Sequence, residues 1–281
     1  MDNKLKRNNE EKPIDYVLLR RADWRFLLSN PKPKKSIVFG GNGLKESLSI
    51  ISENVEDSLT DLKDTDFELA VASEPDTQTI EKMISALKPG GDCYIEWRLA
   101  PFEKIKSLET KLAAVGFYNI KSYIPIPNPI QSPVKIWVPI DSPEAISYSL
   151  KIHFTSYGKK TFIKMIREIL WSLGPKPIEV FPWLLSSRPN NLLISTVAEK
   201  PALNPNSYSQ GTRKLMLTEG DDIDNKPILF LFTKHERNPS YVIKITRVAK
   251  YTYQLENEAK TLQTIEKKYP RLNGIPKVLF T

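Results

Sequence analysis

Short apolar runs alternate with helically spaced apolar stripes along the first half of this chain. Ile37, Val38 and Phe39 follow two prolines and precede a cluster of glycines, which predicts a buried strand over 36–39. Leu44, Leu48 and Ile51 then recur at helical spacing. A second buried strand is predicted over 67–72. Asp76 or Thr77 can cap the helix after it, whose Ile80, Met83, Ile84 and Leu87 share one face. Lys88-Pro89-Gly90-Gly91 closes that helix, because proline cannot continue it and glycine tolerates positive φ. A strand over 93–97 follows. Next come a helix with Ile105, Leu108, Leu112 and Val115 on its buried stripe, Gly116 as its stop, and a strand over 117–124.

Repeated strand–helix alternation predicts an α/β, Rossmann-like domain with a mostly parallel sheet covered on both faces. Residues 16–28, apolar with Arg20, Arg21 and Arg25 interspersed, read as a short helix or strand leading in. The stretch 124–143 carries six prolines, so an extended, loop-rich excursion is expected there. Helices are predicted over 143–154 and 160–173, and a strand over 192–197. Residues 200–211, rich in proline, serine and asparagine, are the best linker candidate. Beyond it, strands over 215–218, 228–232 and 241–245 precede a helix with Leu255, Ala259, Leu262 and Ile265 on its buried face. The expected organisation is a disordered tail over 1–15, a first domain over 16–200, a linker over 201–214 and a smaller α+β unit over 215–281.

Composition narrows the function classes. The chain has 281 residues, 40% hydrophobic and 26% charged, ordinary values for a globular protein with a core of its own. A single cysteine, Cys93, can form neither an intramolecular disulfide nor a thiolate metal cage, so a reducing, cytoplasmic setting is expected. No run of about 18 apolar residues predicts a membrane span. The net charge of +8 comes from 41 basic and 33 acidic residues interleaved along the whole chain. The one dense patch, Lys32, Lys34 and Lys35, sits among prolines, and no basic stripe with stacking aromatics accompanies it, so no nucleic-acid partner is expected. Only His153 and His235 exist, and neither stands at metal-ligand spacing from a second donor, so no metal is expected.

The sharpest chemical signal is Gly40-Gly41-Asn42-Gly43 between the first strand and its helix. Glycines there let the backbone turn sharply and approach a ligand, and the helix N-terminus beyond offers free N–H groups. Such ligands sit at the carboxyl ends of the strands. Glu74 and Glu96 follow or end neighbouring strands. Each is either a ligand-handling carboxylate or a strand-end surface charge.

Four stretches in order, Ile37-Val38-Phe39-Gly40-Gly41-Asn42-Gly43, Phe67-Glu68-Leu69-Ala70-Val71-Ala72, Leu87-Lys88-Pro89-Gly90-Gly91 and Gly116-Phe117, resemble a class I S-adenosylmethionine-dependent methyltransferase. The resemblance implies S-adenosylmethionine as cofactor, with Gly40, Gly41, Asn42 and Gly43 against its methionine part. It adds Glu74 as a cofactor-binding residue, Glu96 as a catalytic candidate and a small-molecule or glycan-type acceptor. The family usually has two more strand–helix units before the Phe-Glu-Leu-Ala strand. Only 44–66 is available here, enough for one helix and a short strand. Glu53 and Glu56 are the candidates for the acidic residue that holds the ribose hydroxyls.

The last stretch resembles the opening of a kinase fold of the aminoglycoside-phosphotransferase type. It has Lys244 in Tyr241-Val242-Ile243-Lys244-Ile245 and Glu258 in Leu255-Glu256-Asn257-Glu258-Ala259. The resemblance implies that a strand lysine and a helix glutamate pair to hold nucleotide phosphates. The family's catalytic aspartate and metal ligands would lie downstream, so Lys244 and Glu258 read as vestigial and no phosphoryl transfer is expected from this chain alone. A missing kinase C-lobe is a possible partner. Residues after about 205 are expected to be marginal or to pack on the first domain. A catalytically inactive scaffold, or a piece of a longer bifunctional transferase, are the alternative readings of the whole.

Overall fold

The computed structural model describes residues 15–40, 43–57, 65–98, 105–156, 193–201, 212–220, 222–233, 236–270 and 276–279. The tail over 1–14, the helix expected over 160–173 and most of the expected linker lie outside these residues. In chain order the elements begin with α1 (Tyr16–Arg21) and a 3-10 turn (Asp23–Leu27), then β1 (Lys35–Phe39), α2 (Leu44–Ile51) and β2 (Asn54–Asp57). Next are β3 (Phe67–Ser73), α3 (Thr77–Ala86), β4 (Leu87–Arg98), α4 (Ile105–Val115), β5 (Tyr118–Ile126), β6 (Ile136–Pro139) and α5 (Pro143–Ser156). After them come β7 (Leu193–Glu199), β8 (Arg213–Leu217), β9 (Ile228–Phe232), β10 (Tyr241–Lys244) and α6 (Thr252–Lys268).

The ten strands of the described residues form one sheet in the order β10-β9-β8-β6-β5-β7-β4-β3-β1-β2. The sheet is mixed, which corrects the expectation of a mostly parallel one. β2, β1, β3 and β4 pair in parallel, and every other pairing is antiparallel. The parallel part follows from the helical crossovers, since parallel neighbours need a connection across a face. β7 then returns between β4 and β5 in the opposite direction. β8, β9 and β10 run on as an antiparallel meander that extends this same sheet through the β6–β8 pairing.

The alternation of side chains across the strands builds a core on each face. Ile37, Phe39, Ala70, Ala72, Cys93 and Ile95 pack beneath Ile80 and Met83 of α3 and Leu108 and Leu112 of α4. Val38, Leu69, Val71 and Tyr94 pack on the other side against Trp24, Phe26, Leu44 and Leu48. Trp24 stacks on Tyr94 with ring centroids 4.0 Å apart, an arrangement worth about 0.5–1.5 kcal/mol beyond area burial. α3 starts at a cap, Asp76, whose carboxylate accepts from Thr79 N–H at 2.7 Å. It ends one residue earlier than its stripe suggests: Leu87 leaves the helix and begins β4 fully buried.

β6 is the strand that the proline-rich excursion concealed. Its Ile136, Trp137 and Val138 are buried, with prolines only at its last residue and outside it. Pairing with β8 involves Ile136 and Trp137 and stops short of Pro139, which has no N–H to give.

α1 and the 3-10 turn clamp the two parts of the sheet with charge. Arg20 donates to the carbonyls of Val134 (2.8 Å), Thr218 (2.6 Å) and Gly220 (2.5 Å). Arg247, just beyond β10, donates to both carboxylate oxygens of Asp23, with Nη2–Oδ2 at 2.8 Å, and to the carbonyls of Asn225 and Thr218. Arg25 Nη2 donates to the Arg247 carbonyl at 3.0 Å. All four charged side chains are buried. The described strands β8 to β10 thus pack on the first part of the chain, held in part by this N-terminal segment. No helix among the described residues is long and apolar enough to cross a membrane.

Candidate functional site

The carboxyl ends of β1, β3 and β4 bring Gly40, Gly43, Glu74 and Glu96 near one another, four of the residues that the sequence singled out. β1 ends at Phe39, opposite Ala72 of β3, and Gly40 follows with φ +89°. That left-handed conformation calls for glycine; space does not, because an added Cβ would meet Ser73 O at an ordinary 3.6 Å. Gly43, with φ +73°, stands at the N-cap of α2 in open space. Among the described residues no side chain caps this helix, so its first amides are left to other partners. An N-terminus of this kind suits a carboxylate or phosphate. Gly41 and Asn42 lie outside the described residues.

The described part of the shortened segment behind the turn holds one helix and one short strand. β2 ends at Asp57, whose neighbour in the sheet is Val38 of β1. Asp57 therefore sits one strand from the glycine turn, at the same edge. It forms an ion pair with Lys45 of α2 at 3.2 Å and remains a third exposed. Of the two acidic candidates named above, Glu56 pairs with Lys35 at 3.7 Å. Glu53 precedes the strand and does not reach its carboxyl end. Asp57 is the residue the sequence reading missed. Asn-Val-Glu-Asp is too polar to announce a strand, and only Val55 hints at one.

Glu74 follows β3 with φ +53°, a left-handed conformation that is uncommon outside glycine. Its N–H donates to Glu96 O at 2.8 Å, and its Oε1 accepts from Arg98 N–H at 2.9 Å. An ion pair to Arg98 Nε at 3.4 Å completes a clasp between the ends of β3 and β4. The carboxylate is partly exposed at the same edge as Gly40.

Glu96 is fully buried, so it is not a strand-end surface charge. Arg21 donates from Nη2 to Oε2 at 2.6 Å, and its Nη1 lies 2.6 Å from Oε1 in the same ion pair. Tyr94 also donates its hydroxyl to Oε1 at 2.7 Å and lies 3.2 Å from Ser195 Oγ. Burial works against the Arg21 charge, but Glu96 outweighs it and raises the guanidinium above its ordinary pKa. Burial and the adjacent carboxylate push the Tyr94 hydroxyl well up, so it stays a donor. With both oxygens engaged, Glu96 holds α1 against the sheet rather than offering a ready base.

Lys244 and Glu258 stand far along the sheet, on β10 and α6. Their side chains form an ion pair, the lysine Nζ donating to Oε1. The pair links the last of three antiparallel strands, β8, β9 and β10, to α6; these strands continue the one sheet, and a separate kinase-like lobe is not supported. The loop between β8 and β9 carries Glu219, Asp222 and Asp224, and its Gly220 carbonyl is held by Arg20 and by Tyr16 Oη at 3.1 Å. No group of three or more His, Cys, Asp or Glu side chains among the described residues is placed to hold a metal ion.

No protein-family model matches the chain, and no curated protein matches it. Solved structures similar to it include phosphoethanolamine N-methyltransferase 2 of Haemonchus contortus in complex with S-adenosyl-L-methionine. The identity is 12% and the TM-score 0.33, with 60% of this chain and 49% of that one covered. The match thus spans about half the length of that enzyme. A SAM-dependent methyltransferase of Archaeoglobus fulgidus is similar at 14% identity and a TM-score of 0.36, over 66% of this chain and 94% of that one. The cyclase SpnF is similar at 14% identity and 0.32, over 66% and 81%. Scores and identities this low establish neither a shared fold nor a shared activity.

Proposed function

We propose that the carboxyl edge of β2, β1 and β3 binds S-adenosylmethionine, and that the chain is a methyltransferase for a small-molecule or glycan-type acceptor. The observation that carries the reading is the meeting of three features at one edge. They are the left-handed Gly40 and Gly43, the uncapped start of α2, and the Asp57 carboxylate one strand away. These residues fit the cofactor's chemistry. Free helix amides suit its carboxylate, a backbone without Cβ atoms permits close approach, and a carboxylate can accept from both ribose hydroxyls. When bound, S-adenosylmethionine supplies an electrophilic methyl group. Gly40 and Gly43 give the methionine part room, and Asp57, Lys45 and Glu74 surround that room with polar groups. Glu96 acts as a positioning residue: through Arg21 it fixes α1 across the sheet. A cytoplasmic setting, with Cys93 buried and single, belongs to the same proposal.

Calorimetric titration of S-adenosylmethionine into the full chain tests this. Saturable one-to-one binding is expected, weakened at least tenfold in Asp57→Ala. Because the Lys45–Asp57 pair is half-exposed, that variant should keep the wild-type melting temperature. No heat with wild-type protein leaves the non-catalytic scaffold reading, which the full engagement of Glu96 favours.

The Lys244–Glu258 pair favours a second reading for the far end, a kinase-like remnant within the one sheet that retains its phosphate-holding couple and for which a kinase C-lobe is the natural partner. The acidic β8–β9 loop opposes nucleotide phosphates. The purified chain is therefore expected to transfer no phosphoryl group from ATP to aminoglycosides, and measurable transfer would overturn that expectation.

A further inference from the structure

At the opposite edge of the sheet, where β4 and β5 begin and β7 ends, lies a cavity of about 120 Å³ that the reading above does not use. Its walls include Ser29, Asp92, Asn119, Lys121, Glu199 and Lys214. At the roughly 30 Å³ that a water takes in the liquid it has room for about four water molecules, or one small organic anion.

The charges around it are arranged unusually. Lys214 Nζ donates to the carbonyls of Leu27 (3.1 Å) and Leu28 (3.3 Å), and Lys121 Nζ to that of Thr212 (3.3 Å). Neither ammonium forms an ion pair with a described residue, and each has N–H capacity beyond these contacts. The two carboxylates are satisfied by neutral donors instead. Asp92 Oδ2 accepts from Ser29 Oγ (2.7 Å) and Asn30 N–H (3.0 Å), and Glu199 accepts from Tyr118 Oη (2.7 Å) and Asn119 Nδ2 (2.6 Å). Two ammoniums half-enclosed on one cavity without a counter-charge in contact are costly unless something else supplies it. Burial and neighbouring cations agree in direction: Lys214 is pushed down by burial and then by Lys121, Lys121 by burial and then by Arg213, with nearby carboxylates offsetting part of each.

We infer that this cavity binds a small hydroxylated oxyanion, its charged oxygens accepting from Lys121 and Lys214 and its hydroxyl donating to Asp92. Dihydrogen phosphate and a short hydroxycarboxylate share that chemistry. The nearby Asp92 and Glu199 favour one negative charge over two.

Inorganic phosphate and glycolate serve as separate probes, titrated calorimetrically into the full chain at an ionic strength held constant with chloride. At least one should bind saturably, and its affinity should fall tenfold or more in Lys214→Met and in Lys121→Met but not in Lys267→Met on the exposed end of α6. The probe that binds more tightly identifies the source. Should either variant fail to fold, wild-type protein decides: bound anion should protect Lys121 and Lys214 from amine acetylation relative to the other lysines, read by mass spectrometry. Absence of saturable binding by both probes, binding that survives both substitutions, or acetylation unchanged by either probe would overturn the inference.

Discussion

Every residue of β3 from Leu69 to Ala72 is buried between two layers of helix, whereas three of the four residues of β10 are exposed. α3 buries three of its ten residues against the parallel strands, while α6, with seventeen, buries only Ala259. The same sheet thus passes from a region held by apolar burial to one whose outer strand and helix contribute little to any core. What fastens the outer region inward is polar. Arg247 and Asp23 join it to the 3-10 turn, and Arg20 ties down the loop after β8. The difference teaches that the N-terminal segment is a structural part of both regions, stacking Trp24 on one and anchoring the other through charge.

The hardest blow to the outer region should be Asp23→Asn. It removes the buried carboxylate that Arg247 grips, and breaking such a pair costs about 3–5 kcal/mol. Urea unfolding should show the loss, and hydrogen exchange should place its largest acceleration in β8–β10. A uniform acceleration across all strands would mean that the two regions are not held separately. Leu69→Ala strikes the other region, removing a fully buried side chain at a cost of about 2–5 kcal/mol, and should accelerate exchange first in β1, β3 and β4. Gly91→Ala should cost less, about 1–3 kcal/mol, because its Cβ would press on Lys88 O at 3.0 Å and Phe67 O at 3.1 Å, backbone atoms that cannot turn aside.

Lys244→Met should change stability by less than about 1 kcal/mol, since both partners of its ion pair are more than a third exposed. A larger loss would show that the outer helix depends on that pair. The smallest effect concerns pH. The Lys88 ammonium, bonded to Glu68 at 2.8 Å, and the Lys34 N–H hold the Glu68 carboxyl below its ordinary 4.5. A carboxyl with a lowered folded pKa contributes stability above the unfolded value, and that contribution is lost as the pH falls through the folded value. Glu68→Gln should therefore flatten the acid limb of a stability–pH curve below about pH 4.5 and leave melting at pH 7 nearly unchanged, since the group is at the surface.

Most elements were readable because they are locally consistent. α3 has a cap, a stripe and a proline–glycine stop, and β9 is an unbroken apolar run, so local pattern and final structure agree. β6 was hidden because its prolines signal a loop, and only the tertiary position shows that none of them interrupts a ladder bond that the strand needs. β2 was hidden because an edge strand with four mostly polar residues has no period to read. The mixed direction of the sheet was not legible, since the return of β7 between β4 and β5 pairs residues about a hundred positions apart. At the candidate site, Gly40 and Gly43 announced themselves because the backbone needs them. The partners of Glu96 did not, because Arg21 comes from a segment 75 residues earlier. The same holds for Lys121 and Lys214, which line one cavity only once β5, β6 and β8 have assembled.

The central claim is that the parallel region, not the meander, carries the cofactor. Ultraviolet cross-linking of radiolabelled S-adenosylmethionine to the full chain, followed by peptide mapping, tests it most directly. The account predicts label in peptides spanning residues 36–57 or 67–76, suppressed by excess unlabelled S-adenosylhomocysteine. Label confined to residues 213–268, or none that the competitor suppresses, would contradict it.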